Sequence, residues 1–231
     1  MMNKEQLIQL ARPVAHQAFE TAMKVALKSS PEKARRDSIR ALDNVLSKAG
    51  RLDKAQIECR DGCSFCCYIR VVATPVEVFG LIDYLRSTLS VYKFSNFVER
   101  VDAAANTVRP MTAAEHLRTN VRCPALLDGR CIAYAARPLR CRTHHSKSAN
   151  ACQAEYDHPE VEVGPITWLP FRKYQGAAHI QGFEAGIEQA GFDAKPYELI
   201  AALHEALSSP TAEIEFLQGR RAFKSVPAAE E

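Results

Sequence analysis

Residues 59–67 read Cys59-Arg60-Asp61-Gly62-Cys63-Ser64-Phe65-Cys66-Cys67, four cysteines in nine positions with the last two adjacent. Four more follow at Cys123, Cys131, Cys141 and Cys152, and none lies outside residues 59–152. Thiolates are the ligands soft metals prefer, and eight of them can close two four-thiolate sites. The remainder of the chain has the makings of an ordinary core: 231 residues, 47% hydrophobic and 25% charged. A chain of that size does not need disulfides to replace a missing core.

The first ten residues are polar and lack the apolar run of a secretory signal. No stretch approaches the roughly 20 apolar residues of a membrane span. The expected location is the cytoplasm, with no membrane partner. In that reducing compartment, clustered cysteines serve as metal ligands or redox groups.

Working outward, the periodicity predicts a mainly α fold, one domain over 1–231. An irregular cysteine-rich centre at 59–152 is clasped by an N-terminal helical hairpin (1–50) and by C-terminal helices (170–225). Leu7, Leu10, Val14, Ala18, Ala22 and Val25 form one apolar stripe. Ser30-Pro31 restarts a helix carrying Ile39, Leu42, Val45 and Leu46, which Gly50 is expected to end. Tyr68–Ala73 is β-rich. Thr74-Pro75-Val76-Glu77 is a capping box opening a helix with Val78, Leu81, Ile82, Leu85 and Leu89 on its buried face. A further helix spans Phe94–Val108. Residues 119–168 read as loop, punctuated by Pro124, Asp128-Gly129, Pro138, Pro159 and Pro165; a loop this long needs an organiser, and a bound metal is a sufficient one. Helices return after Pro170, the last over Pro210–Phe223.

Asp61-Gly62 and Asp128-Gly129 are turn signals, and the second brings Cys123 and Cys131 together. Adjacent side chains usually diverge. Cys66 and Cys67 are therefore expected to face different directions, one per site, or else both to touch one larger cluster. All eight cysteines (Cys59, Cys63, Cys66, Cys67, Cys123, Cys131, Cys141 and Cys152) are candidate ligands. Only Cys63–Cys66 has the short knuckle spacing of structural zinc. The second set is spread by seven, nine and ten intervening residues, which favours an iron–sulfur cluster over zinc.

Charge is uneven. Residues 118–147 carry seven basic residues against Asp128 alone, net +6, while 150–231 carry net −7. The arginines are interleaved with the cysteines, so they read as compensation for anionic thiolates in preference to a nucleic-acid surface. Arg137, Arg140, Arg142, His144 and His145 are the candidates to surround the site or to bind an anion. Tyr134 reads as packing beside the metal loop, and Trp168 as an anchor where the loop rejoins the helices. No Gly-x-Ser-x-Gly, phosphate-binding glycine loop or His-Glu-x-x-His is present.

The run Cys59-x3-Cys63-x2-Cys66-Cys67 is followed by Cys123-Pro-x-Leu-x-Asp-Gly-x-Cys131-x-x-Tyr134-x-x-Arg137-Pro138-x-x-Cys141-Arg142. This order resembles the CxxCxxCC cysteine-cluster family, the YkgJ-like zinc- or iron-chelating domain, over residues 59 to about 152. The first spacing here is three residues where the family has two. The resemblance implies a metal-chelating protein holding an iron–sulfur cluster or zinc, with metal ions as partners. More remotely, the cluster is similar to that of flagellin lysine methylases. That similarity implies an alternative, a cluster-dependent enzyme modifying a protein substrate, with Arg137, Arg140 and Arg142 near that substrate. A nucleic-acid-binding metal module is a third reading. Cys-x3-Cys-x2-Cys is also the radical-SAM spacing, but the strand–helix repetition of those enzymes is missing.

Overall fold

A computed structural model of the chain describes residues 2–53, 55–60, 62–161 and 168–229. The chain is mainly α. Among the described residues there are ten helices: α1 (Lys4–Lys28), α2 (Pro31–Asp53), α3 (Pro75–Thr88), α4 (Val91–Val108), α5 (Ala113–Leu117), α6 (Leu139–Thr143), α7 (Ala149–Asp157), α8 (Pro170–Gln189), α9 (Leu199–Ser208) and α10 (Ala212–Leu217). Four two-residue strands form two antiparallel pairs. β1 (Val72–Ala73) pairs with β4 (Tyr197–Glu198), and β2 (Leu126–Leu127) pairs with β3 (Arg130–Cys131). No helix among the described residues is long and apolar enough to cross a membrane. Asp61 and Pro165, both read above as turn signals, lie outside the described residues.

Helices α1, α2 and α8 pack into a three-helix bundle. The α1 helix was expected to bury Leu10, Val14 and Val25; instead Leu10 is exposed, and the buried face is Leu7, Ala11, Ala18, Ala22 and Ala26. The rotation follows from close approach to α8. A β-carbon at Gly182 would collide with the carbonyl oxygen of Ala15, and one at Gly186 would lie 2.5 Å from that of Phe19. Glycines on α8 and alanines on α1 therefore let the two backbones meet directly.

His179 of α8 lies inside this bundle. Its Nε2–H faces Ser38 of α2, 2.8 Å from the hydroxyl and 3.1 Å from the carbonyl oxygen. Burial disfavours the imidazolium and lowers the pKa to about 4. The unfolded histidine titrates near 6.5. Between these values the unfolded chain takes up a proton that the folded chain refuses. This contribution to stability is therefore intact above pH 6.5 and is lost as pH falls toward 4, by about 3 kcal/mol in total. Denaturant midpoints followed from pH 7 to pH 4.5 should fall more steeply for the wild type than for His179→Gln. Equal slopes would remove His179 as the cause.

The second layer is α3, α4 and α9, whose buried faces include Leu81, Leu85, Phe97, Val101, Ala202 and Leu203. The Thr74–Glu77 capping box forms as expected. Glu77 is buried and also accepts from the Leu139 amide at 2.8 Å, fixing the start of α6 to the start of α3.

Three expectations change. Gly50 does not end α2, which runs on to Asp53. There the Asp53 carboxylate accepts from the Phe171 and Arg172 amides at 2.9 and 3.0 Å and caps α8, so the extra turn is rewarded. The last helix stops at Leu217 instead of Phe223, because Gly219 takes a left-handed conformation at φ 73°. The stretch read as loop, 119–168, contains α6 and α7.

Candidate metal centre

The short turn Phe65–Cys67 presents the adjacent cysteines. Its exit is laced to the second cysteine set by two backbone hydrogen bonds: Cys123 N–H donates to Cys67 O at 2.8 Å, and Val121 N–H to Tyr68 O at 3.1 Å. From Cys123 the chain enters the β2–β3 hairpin. Asp128 and Gly129 both take positive φ, 49° and 75°, the requirement of a tight two-residue hairpin turn. The register sets Leu126 opposite Cys131.

Arg142 then organises the return. Its buried guanidinium donates to both carboxylate oxygens of Asp43 at 3.1 Å and to the carbonyls of Ala135 and Arg137. This clamp ties the 134–137 turn and α6, with Cys141, to the N-terminal bundle.

All eight cysteines are free thiols. Their mutual fields run through the set. Burial pushes the Cys123 thiol up to about 12, and the nearby thiols of Cys131 and Cys66 add to the rise. Cys141 is raised well above its ordinary value by burial and by Cys123, Cys66 and Cys131. The Cys67 thiol hydrogen-bonds Cys66, and with burial holds it strongly protonated. The two adjacent thiols are thus close enough to couple. Opposing these effects, the amides of Ala125 and Ala133 donate to the sulfurs of Cys123 and Cys131. Each lies two residues beyond its cysteine, which favours thiolate. The net result is neutral thiols near pH 7, so a bound cation must displace protons.

Cys59, Cys63 and Cys152 lie at the first cysteine loop and on α7. The Ser146 amide donates to Cys59 Sγ at 3.4 Å. Burial raises the Cys59 and Cys152 thiols; Cys63 adds to the rise of both, and Cys66 also adds to that of Cys59.

Of the residues expected around the site, Arg137 faces the thiols. Its positive charge lowers Cys66, Cys131 and Cys141, its guanidinium stacks 4.1 Å from the Tyr134 ring, and its buried Nε has no hydrogen-bond partner. Arg140 pairs with Glu184. His145 is structural: Nδ1 bonds Thr143 O at 2.8 Å and Nε2 accepts from Leu169 N at 2.9 Å, which fixes a neutral tautomer. His144 lines an open cleft of about 470 Å³ with Arg140, Trp168 and Lys173. Trp168 is 42% exposed under the Lys173 ammonium, so it is a cleft wall and not a buried anchor.

Sequence reasoning missed Arg172. Its charge lowers Cys59, and its buried Nε is also without a partner. Nothing in the spacing signals Arg172, because it sits 113 positions from Cys59.

Among the described residues, no three His, Cys, Asp or Glu donors converge closely enough to hold a metal ion as they stand. The thiols are gathered into neighbourhoods without closing on a point. The donor set nevertheless fits a thiophilic metal, given free cysteines, amides aimed at sulfur and unpaired guanidinium nitrogens beside them.

Residues 58–159 match the CxxCxxCC family. Its description is "putative zinc- or iron-chelating domain", and the match takes in all eight cysteines while spanning 102 of the 231 residues. Metal chelation is thus the activity this match supports. No curated protein and no solved structure matches the chain significantly. The CxxCxxCC segment is the part of the fold between the two bundle-forming ends: α6 and Arg142 dock it on α2 and α8, and α3 packs on α2.

Proposed function

We propose that this chain is a thiolate metal protein in which Cys66, Cys67, Cys123, Cys131 and Cys141 hold an iron–sulfur cluster, with zinc as the competing occupant. The observation that supports this is the family match over all eight cysteines, together with the coupling of the adjacent Cys66 and Cys67 thiols and the mutual rise of Cys66, Cys123, Cys131 and Cys141. A single zinc ion takes four ligands in a tetrahedron, and five thiols with two neighbours side by side suit a larger object. Bound there, a cluster would supply a covalent cross-link between distant loops and one-electron redox capacity. The chain's own part is to gather the thiols, to turn the Ala125 and Ala133 amides toward sulfur, and to set the Arg137 charge against the thiolates.

The protein-modifying alternative assigned Arg137, Arg140 and Arg142 to a substrate. The engagement of Arg142 with Asp43 and of Arg140 with Glu184 favours charge compensation and a structural clamp instead, and weighs equally against a nucleic-acid surface. Anaerobic purification followed by a visible spectrum and acid-labile sulfide analysis tests the assignment. Brown protein with sulfide is expected. Colourless protein with stoichiometric zinc would replace the cluster by zinc.

A further inference from the structure

The three-helix bundle is not filled between α1 and α2. A cavity of about 310 Å³ lies there, lined by these two helices and by His179 of α8. None of its lining residues belongs to segment 58–159, so it stands apart from the thiol centre. We propose that this cavity binds a small neutral ligand, largely apolar and carrying one hydrogen-bond acceptor, such as an aromatic ketone or a medium-chain ester.

The cavity exists because small side chains border it. Close approach at Gly182 and Gly186 holds α1 against α8. Ala18 and Ala22 line the space from α1, and Ala34 and Ala41 from α2. A methyl group on each is too short to fill the gap between the helices. Gln17 and Ala41 are exposed and mark the mouth, whereas Ser38 at 7% exposure and His179 at 3% mark the inner end.

The polar inner end decides the ligand. The Ser38 carbonyl can only accept, so the His179 Nε2 that lies 3.1 Å from it carries the proton. That N–H is also 2.8 Å from the Ser38 hydroxyl, whose oxygen is then an acceptor. The Ser38 O–H is left as a donor without an acceptor among the described residues. No lining residue is charged, since burial keeps His179 neutral. A carboxylate or ammonium placed here would lose its water without gaining a partner. A carbonyl or ether oxygen would instead receive the Ser38 proton while its apolar body covers the alanines. Size sets the scale. Ligand pockets start at about 300 Å³. An apolar cavity of about 150 Å³ takes up benzene, so this one suits two fused rings or a chain of about ten carbons.

The test titrates the full chain, by calorimetry, with naphthyl methyl ketone and with ethylnaphthalene, which has nearly the same shape but no acceptor. Saturable one-to-one binding of both is expected, with the ketone about fivefold tighter for one net hydrogen bond. Ser38→Ala should remove that preference and keep the binding. The bundle should survive the change, because the His179 N–H retains the Ser38 carbonyl. Ala41→Leu extends a side chain from the exposed mouth and should abolish binding of both compounds. Metal per chain should be unchanged in either variant, so failure here leaves the thiolate reading standing. No saturable binding to the wild type, or binding that Ala41→Leu leaves unchanged, would overturn the site. A ketone preference that survives Ser38→Ala would overturn the assigned ligand class. A dimer that Ala41→Leu dissociates would give the groove to a second copy of the chain and overturn the ligand site as well.

Discussion

Cys66→Ser and Cys67→Ser, made one at a time, are each expected to lose the metal of the proposed five-thiol centre and much of the soluble yield. Hydroxyl is a poor ligand for a soft metal, so either change removes one thiolate from a set that includes both neighbours. Changes outside the ligand shell of metal sites already weaken affinity by about 10–100-fold, and loss of a ligand should exceed that. The cost extends to folding, since ligation energy is also folding energy for the loops it joins. Metal per chain, measured on anaerobically purified protein, is the readout. If one variant retains wild-type metal, the contact between the two thiols is incidental and only one of them is a ligand.

The second large effect is steric. Gly182→Ala is expected to destabilise the fold by about 3 kcal/mol, because the added methyl meets the Ala15 carbonyl oxygen and backbone cannot rotate out of the way. Helices α1 and α8 would have to separate, opening the bundle on which α6 rests. Gly50→Ala provides the contrast. It lies within α2 with nothing within 4 Å of its added carbon, so the same change should be neutral or stabilising by up to about 1 kcal/mol. Urea unfolding of both variants gives the comparison. Equal midpoints would mean that the α1–α8 contact is looser than it stands here.

The pattern of these effects explains what could be read from the chain. Capping at Thr74-Pro75 and the Asp128-Gly129 turn are local, and both took the form their residues dictate. The α1 helix was legible, but its face was not: alanine contributes little to an apolar stripe, and the deciding residues, Gly182 and Gly186, lie more than 150 positions away. Helices α6 and α7 were hidden for a similar reason. They are short, and Arg142, Glu77 and the Tyr156 aromatic contacts hold them from outside. Within the candidate site, the cysteines announced themselves by density. The packing of α7 on the Phe65–Cys67 turn did not, because it depends on the aromatic contacts of Tyr156 with Phe65 and Tyr68. Arg172 was invisible for the same reason, while Arg142 was noticed but read for its charge rather than its reach to Asp43.

Within the basic segment, Arg142 is buried against Asp43 and Arg140 meets Glu184 of the acidic C-terminal part, while Arg118, Arg122, Arg130 and Lys147 are exposed. Arg137 and Arg172 remain beside sulfur. These two arginines offset part of the negative charge that metal–thiolate centres carry.

The central claim is that these cysteines are ligands rather than inert buried thiols. It is tested most directly by counting reactive thiols in the folded, anaerobically purified chain before and after metal removal. The account predicts bound metal, with the five cysteines of the proposed centre unreactive until a strong chelator is added and all eight reactive afterwards. A chain that is fully folded, free of metal and unchanged in thiol reactivity by chelator would contradict it.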